Sequence, residues 1–158
     1  MSIRSKSLIN SLIQKGVTIS VAESCTGGQI ASEFTSHSGV SESFMCGLVT
    51  YSNESKQRVL GVFEGALNTH GAVSHLVAEQ MARRVREIGM SDIGVSTTGI
   101  AGPGGGTNVK PVGTVYIGVS TKESTKVRKH TFKGTRAEIQ KQAVDAALDL
   151  IEKFLRYA

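Results

Sequence analysis

Four segments concentrate the residue types that attack, deprotonate or hold a polar substrate. The first is Ala22 to Gly28 (AESCTGG), where Ser24, Cys25 and Thr26 follow a strand-like run and lead into a helix. A helix start offers free backbone N–H groups and a positive dipole end, so it favours an anion or a developing oxyanion. Three nucleophile-type side chains therefore sit where such donors are expected. The same pattern also suits a plain cap by Ser24 or Thr26, with glycines that permit close packing. The second segment is Gly47 to Lys56 (GLVTYSNESK), in which Tyr51 stands at a strand end while Ser52 and Lys56 share one helix face. A lysine acts as a general base only when its pKa falls well below about 10.4, and bringing it to about 8 costs roughly 3 kcal/mol. Such a lysine belongs in a dry, tightly supported place, whereas an ordinary one is a solvated charge.

The third segment, Thr97 to Gly113 (TTGIAGPGGGTNVKPVG), holds six of the 18 glycines and both prolines, which implies a loop of fixed and unusual backbone shape. It matches neither the phosphate-binding G-x-x-x-x-G-K-[ST] pattern nor the dinucleotide G-x-G-x-x-G pattern. A backbone nest for phosphate or carboxylate and a long structural connection both remain open. In the fourth, Arg136 and Gln140 project from the same face of the last helix near its start, and arginine is the side chain best matched to phosphate or carboxylate. A surface ion pair is the ordinary alternative for Arg136. The histidines at 37, 70, 75 and 130 show no zinc-ligand spacing, no G-x-S-x-G elbow is present, and no metal is expected.

Alternating elements would carry these segments. Helical spacing runs from Ile3 to Lys15 and stops at Gly16, Val17 to Ala22 reads as a strand, and a helix follows Gly27 and Gly28 through Phe34. Met45 to Tyr51 is expected as a buried strand and Ser52 as the cap of the helix holding Lys56, Val59 and Leu60. Ser74 caps a helix with the apolar stripe Val77, Ala78, Met81, Val85 and Ile88. Ile93 to Thr97, Val112 to Thr121 and Lys126 to Lys133 are strands, the last two joined by a turn near Lys122 to Ser124. Thr135 and Glu138 form a capping box for a final helix reaching about Arg156. The order α-β-α-β-α-α-β-β-β-α predicts an α/β fold, a three-layer α/β/α sandwich with a mixed sheet, in one domain spanning 1–158. Its loops at the strand ends are where a site is expected.

Composition narrows the function classes. The 158 residues are 39% apolar and carry 18 Lys+Arg against 13 Asp+Glu, enough apolar sequence for a core without disulfide or metal support. No apolar run approaches a membrane span and the first residues mix charges with apolar side chains, so a cytoplasmic chain with no membrane partner is expected. Cys25 and Cys46 suit reduced thiols. Lys122, Lys126, Arg128, Lys129, Lys133 and Arg136 cluster, but only Phe132 is interleaved and no nucleic-acid motif accompanies them. A solvated strand face, or a weak attraction for phosphate-bearing small molecules, explains that cluster.

AESCTGG (22–28), VTYSNESK (49–56), HGAVS (70–74), TGIAGPGGGTNVKPVG (98–113) and the spacing of Phe132, Gly134, Arg136 and Gln140 together resemble the CinA C-terminal domain family. The likeness runs in order over essentially the whole chain. It implies a metal-independent and cofactor-free amidohydrolase that converts nicotinamide mononucleotide to nicotinate mononucleotide and ammonia with a Ser/Lys dyad. Carried over, Ser24 is the expected nucleophile and Lys56 the base, with Tyr51 orienting Lys56 or relaying its proton. Family members often read G-S-S before the second strand; here the stretch is Gly39, Val40, Ser41, which leaves Ser41 as an alternative nucleophile or oxyanion donor. Thr98, Arg136, Gln140, Gly102 and Thr26 are expected on the substrate side. Longer relatives carry an additional pyrophosphatase-type domain for which 158 residues leave no room. The expected partners are a small nucleotide substrate and further copies of the chain, with no nucleic acid. Three alternatives stand beside this: a non-catalytic nucleotide-binding or competence and damage-associated module, a thiol amidase using Cys25, and nucleic-acid binding through the basic 122–136 hairpin.

Overall fold

A computed structural model describes residues 3–157; Met1, Ser2 and Ala158, the ends of the expected 1–158 unit, lie outside the described residues. The chain runs α1 (Ile3–Lys15), β1 (Ile19–Glu23), α2 (Gln29–Thr35), a 3-10 turn (Val40–Glu42), β2 (Phe44–Val49), α3 (Asn53–Arg58), α4 (Glu64–His70), α5 (His75–Ile88), β3 (Ile93–Gly99), β4 (Thr114–Ser120), β5 (Thr125–Thr131) and α6 (Arg136–Tyr157). The five strands form one mixed sheet in the order β2-β1-β3-β4-β5. β1 is parallel to β2 and β3, while β4 and β5 are antiparallel to their neighbours.

Helices cover both faces, as expected. One core unites α1, α2 and α6 with Ile19, Val21, Val95, Val115, Ile117 and Val119 of the sheet. The other gathers Val77, Met81 and Val85 of α5 with Ala22, Leu60, Val62 and Leu67. The caps that the sequence announces are present: the Ser74 hydroxyl accepts from the Val77 N–H, and Thr135 and Glu138 bond each other's backbone at the start of α6. α4 and the 3-10 turn lack a clear periodic stripe and were not expected. β2 departs from the expectation of a buried strand, because it is an edge strand with alternating burial that leaves Met45 and Val49 exposed.

Side chains of alternate residues point to opposite faces of a strand, and small residues at Gly94, Ser96 and Gly118 line the face under α5. There the Ser96 hydroxyl donates to the Ala78 carbonyl at 2.6 Å, and a Cβ on Gly94 would lie 2.0 Å from the Ala82 carbonyl oxygen. Gly94→Ala is therefore expected to lower stability by about 3 kcal/mol, at the upper end of ordinary overpacking. Gly104→Ala, whose Cβ would meet nothing within 4 Å, is expected to leave the urea midpoint unmoved. Equal midpoints for the two variants would contradict this account of how α5 seats.

Candidate active site

Because β1, β2 and β3 are parallel, their C-terminal ends open on the same side, and the chain leaves each of them into a loop. Ser24 follows β1 and is anchored by its own N–H, which donates to the Thr97 carbonyl of β3 at 3.0 Å. At the end of β2 the Thr50 N–H donates to the Glu23 carbonyl at 2.9 Å. Ser52 then starts α3 with a capping box, its hydroxyl accepting from the Ser55 N–H while the Ser55 hydroxyl accepts from the Ser52 N–H. One turn of helix later Lys56 is turned back under the strand ends.

Lys56 is 1% exposed, and its Nζ lies 3.0 Å from Ser24 Oγ, 2.7 Å from the Thr50 carbonyl and 3.3 Å from the Tyr51 carbonyl. Burial lowers its pKa from 10.5 to about 8, against a smaller opposing influence of the Cys25 thiol. The cause is desolvation of the ammonium. A neutral amine has two N–H donors and one lone pair. With the two carbonyls taking the N–H groups, the lone pair is left to accept the Ser24 hydroxyl proton. Cys25 is a poor candidate beside this pair, because burial, with a smaller contribution from the Glu23 charge, pushes its thiol up to about 12. Nucleophilic sulfur is the thiolate, so a thiol that resists ionisation is inert.

A cavity of about 250 Å³ opens on the pair. Ser24, Lys56, Tyr51, Thr98, Gly102 and Arg136 are among the residues that line it. The glycine-rich segment and Ala72 with Val73 of the HGAVS stretch supply much of the remaining wall. Arg136 reaches across from α6, donating from Nη1 to the Gly102 carbonyl at 2.8 Å and from Nη2 to the Tyr51 hydroxyl at 2.9 Å. Among the described residues no three His, Cys, Asp or Glu side chains gather to hold a metal ion.

Several expected contributors are placed differently. Tyr51, 62% exposed as a residue, touches Lys56 through its main-chain carbonyl, while its phenol is bonded to Arg136, which leaves the expected proton relay without a contact. Thr98 lines the cavity, but its hydroxyl proton is spent on the Ala72 carbonyl at 2.8 Å, so only its lone pairs face a ligand. Gln140 shares the Arg136 face yet donates to the Cys25 carbonyl at 2.8 Å, bracing the Ser24 loop from behind. Thr26 is fully buried between Glu23 and Thr97, away from the cavity wall. Ser41 is exposed on the 3-10 turn before β2, a strand of six residues or about 20 Å from the end that carries Ser24. Within this chain Ser41 is not brought to Lys56.

The helix start read as a free anion site is already filled. The Glu23 carboxylate, 1% exposed, accepts from the Gly28, Ile30 and Ala31 N–H groups at 3.1, 3.1 and 2.8 Å. The Thr26 hydroxyl adds a fourth bond at 2.5 Å. Glu23 was missed as a site residue, although an acid closing a buried apolar strand one short loop before a helix is itself a signal, since a carboxylate is favoured at that dipole end.

The CinA C-terminal domain model matches residues 2–155. A protein of Caldanaerobacter subterraneus named as competence-damage inducible is 47% identical over 148 residues, 94% of this chain and 36% of that protein. The chain spans about a third of the length of the curated relatives it matches. Among solved structures, a CinA superfamily protein from Klebsiella pneumoniae superposes with TM-score 0.94 at 29% identity, covering 98% of this chain and 97% of that one. A competence/damage inducible protein from Agrobacterium tumefaciens superposes with TM-score 0.93 at 35% identity, covering 99% of each. With a family model spanning nearly every residue and the same mixed sheet in its structural relatives, this chain belongs to the CinA C-terminal domain family.

Proposed function

We propose that the chain is a serine amidohydrolase that releases ammonia from the carboxamide of nicotinamide mononucleotide, with Ser24 as nucleophile and Lys56 as general base and acid. The single observation that carries this reading is the buried Lys56 amine, 3.0 Å from Ser24 Oγ with its N–H groups directed to two carbonyls. In the first half-reaction Ser24 Oγ bonds to the amide carbon while neutral Lys56 takes the hydroxyl proton. The resulting ammonium returns that proton to the amide nitrogen, the C–N bond breaks, and ammonia leaves an ester on Ser24. In the second, Lys56 takes a proton from water as the water oxygen bonds to the ester carbon, and the proton goes back to Ser24 Oγ as the carboxylic acid departs. The Cys25 N–H, directly after the nucleophile, makes no hydrogen bond to another described residue and is the oxyanion donor this reading assigns.

Arg136 is the residue proposed to hold the phosphate. Two of its five N–H donors are engaged with Gly102 and Tyr51, and it lines the cavity with donors to spare. Loss of one charge-assisted contact costs about 1.5 to 3 kcal/mol, which is roughly a 10- to 150-fold change in affinity. Arg136→Ala is therefore expected to raise KM for the mononucleotide by that factor with kcat changed less, and to leave the phosphate-free riboside almost unaffected. Equal effects on both substrates would remove the phosphate role. The function itself is tested by ammonia release from the mononucleotide with EDTA present. Release by the wild type that persists in chelator supports the metal-independent reading; no release at high enzyme concentration overturns the amidase assignment for this substrate.

A further inference from the structure

The loop that carries Ser24 contains no proline and two glycines with positive φ, Gly27 at 60° and Gly28 at 96°, so its covalent geometry alone does not fix the hydroxyl. Its fixation comes from hydrogen bonds, and four of those that hold it and the first turn of α2 converge on one buried carboxylate. Alternation along β1 sends Glu23 toward α2 while Ser24, the next residue, turns toward α3. Glu23 Oε2 accepts from the Gly28 and Ile30 N–H groups and the Thr26 hydroxyl, and Oε1 accepts from the Ala31 N–H. The Thr26 hydroxyl also bonds Thr97 Oγ1 at 2.7 Å, on the same residue whose carbonyl holds the Ser24 N–H. A serine or threonine cap satisfies about one amide. This carboxylate satisfies three and ties strand end, loop and helix start together.

We propose that Glu23 is a positioning residue for the reaction, an internal cap of α2 whose carboxylate holds Ser24 in line with Lys56. The proposal rests on the amidase reading for its catalytic consequence and on the loop geometry for its cause. Glu23 does not touch Lys56, and it is not among the groups that move the Lys56 pKa. Its influence therefore passes through the placement of the hydroxyl. In a glutamine variant one oxygen can keep its acceptor role, but an NH₂ replaces the other and confronts a backbone N–H. The loop must shift to separate two donors, and a displacement of about 1 Å at a reacting atom costs on the order of 100-fold.

The test compares Glu23→Gln and the shape-conserving Thr26→Val with wild type, each normalised to its folded fraction by circular dichroism. Expected for Glu23→Gln is a fall in kcat of about 10- to 100-fold with KM within about threefold, and a pH profile whose midpoint stays at the wild-type value. Thr26→Val, which removes one of the four donors, is expected to fall about 3- to 10-fold. A merely structural Glu23 would lower the folded fraction and leave kcat per folded molecule unchanged, which would overturn the proposal. A moved midpoint would also overturn it, by making the effect electrostatic. A second readout, the rate of covalent labelling at Ser24 by a fluorophosphonate, is followed by intact mass. Labelled wild type that releases no ammonia would sink the amidase reading alone, with a 10- to 100-fold slower labelling of Glu23→Gln still expected. Labelling of wild type no faster than of Ser24→Ala would sink the positioning proposal as well.

Discussion

Ser24→Ala is expected to lower kcat for ammonia release by about 10⁵- to 10⁶-fold, the order of loss seen when the nucleophile of an acyl-transfer unit is removed. KM should change little, because the substrate phosphate and ribose are assigned to Arg136 and the glycine-rich wall. The variant should fold normally: Ser24 is only 8% exposed but its side chain has one partner, and the main-chain bond to Thr97 does not depend on it. Cys25→Ala separates the oxygen from the sulfur mechanism. Its thiol, held near 12 by burial, is protonated throughout the working range, so activity should persist within about threefold. Ser41→Ala should also stay near wild type, since that hydroxyl lies exposed at the opposite end of β2. Collapse of Ser41→Ala with survival of Ser24→Ala would reverse the assignment and require Ser41 to arrive from another copy of the chain.

The sequence was most legible where one local rule decided the outcome. Ser52, Ser74 and Thr135 announced their helices because a hydroxyl before an apolar-periodic run has one profitable job, and each of them does it. The position of β2 was not legible. MCGLVTY reads as a buried strand by composition, and only the sheet order puts it at an edge, where Met45, Gly47 and Val49 face outward. Spacing placed Lys56 and Ser52 on one face of α3, yet the contact with Ser24 joins residues 32 apart and depends on the parallel register of β1 with β2. The resemblance assigned a job to each carried-over residue, and the contacts depart from several of those assignments. Gln140 and Thr26 serve the loop that bears Ser24, and Tyr51 serves Lys56 with its backbone, because hydrogen-bond partners are set by tertiary placement and not by residue type. Glu23 escaped notice for a related reason: a carboxylate in a motif is read as chemistry or as surface, and here it is an internal cap.

Lys56→Met is expected to lower kcat by about 10³-fold or more, since one group supplies both the base and the acid of the proposed cycle. In the wild type, kcat/KM should rise tenfold per pH unit below about 8 and level above it, because only the neutral amine accepts the Ser24 proton. The same burial makes a second, independent expectation about stability. The folded-state pKa of about 8 lies below the unfolded value near 10.5, so between those limits the unfolded chain binds more protons and stability rises with pH. Below pH 8 both states hold the ammonium and the full cost of burying it applies, on the order of 3 kcal/mol. Methionine fills much of the same volume without that cost, although it leaves the Thr50 carbonyl without its 2.7 Å donor, a loss of about 1 kcal/mol or more. Lys56→Met should thus be at least as stable as wild type to urea at pH 7, and its advantage should shrink steadily from pH 8 to 10.5. Parallel stability curves, together with a rate profile still climbing near pH 10, would mean that Lys56 keeps an ordinary ammonium and that another group takes the proton from Ser24. The coupling of the two outcomes is the stronger test, because a lysine that is costly to the fold and useless to the reaction would have no reason to be buried against a serine.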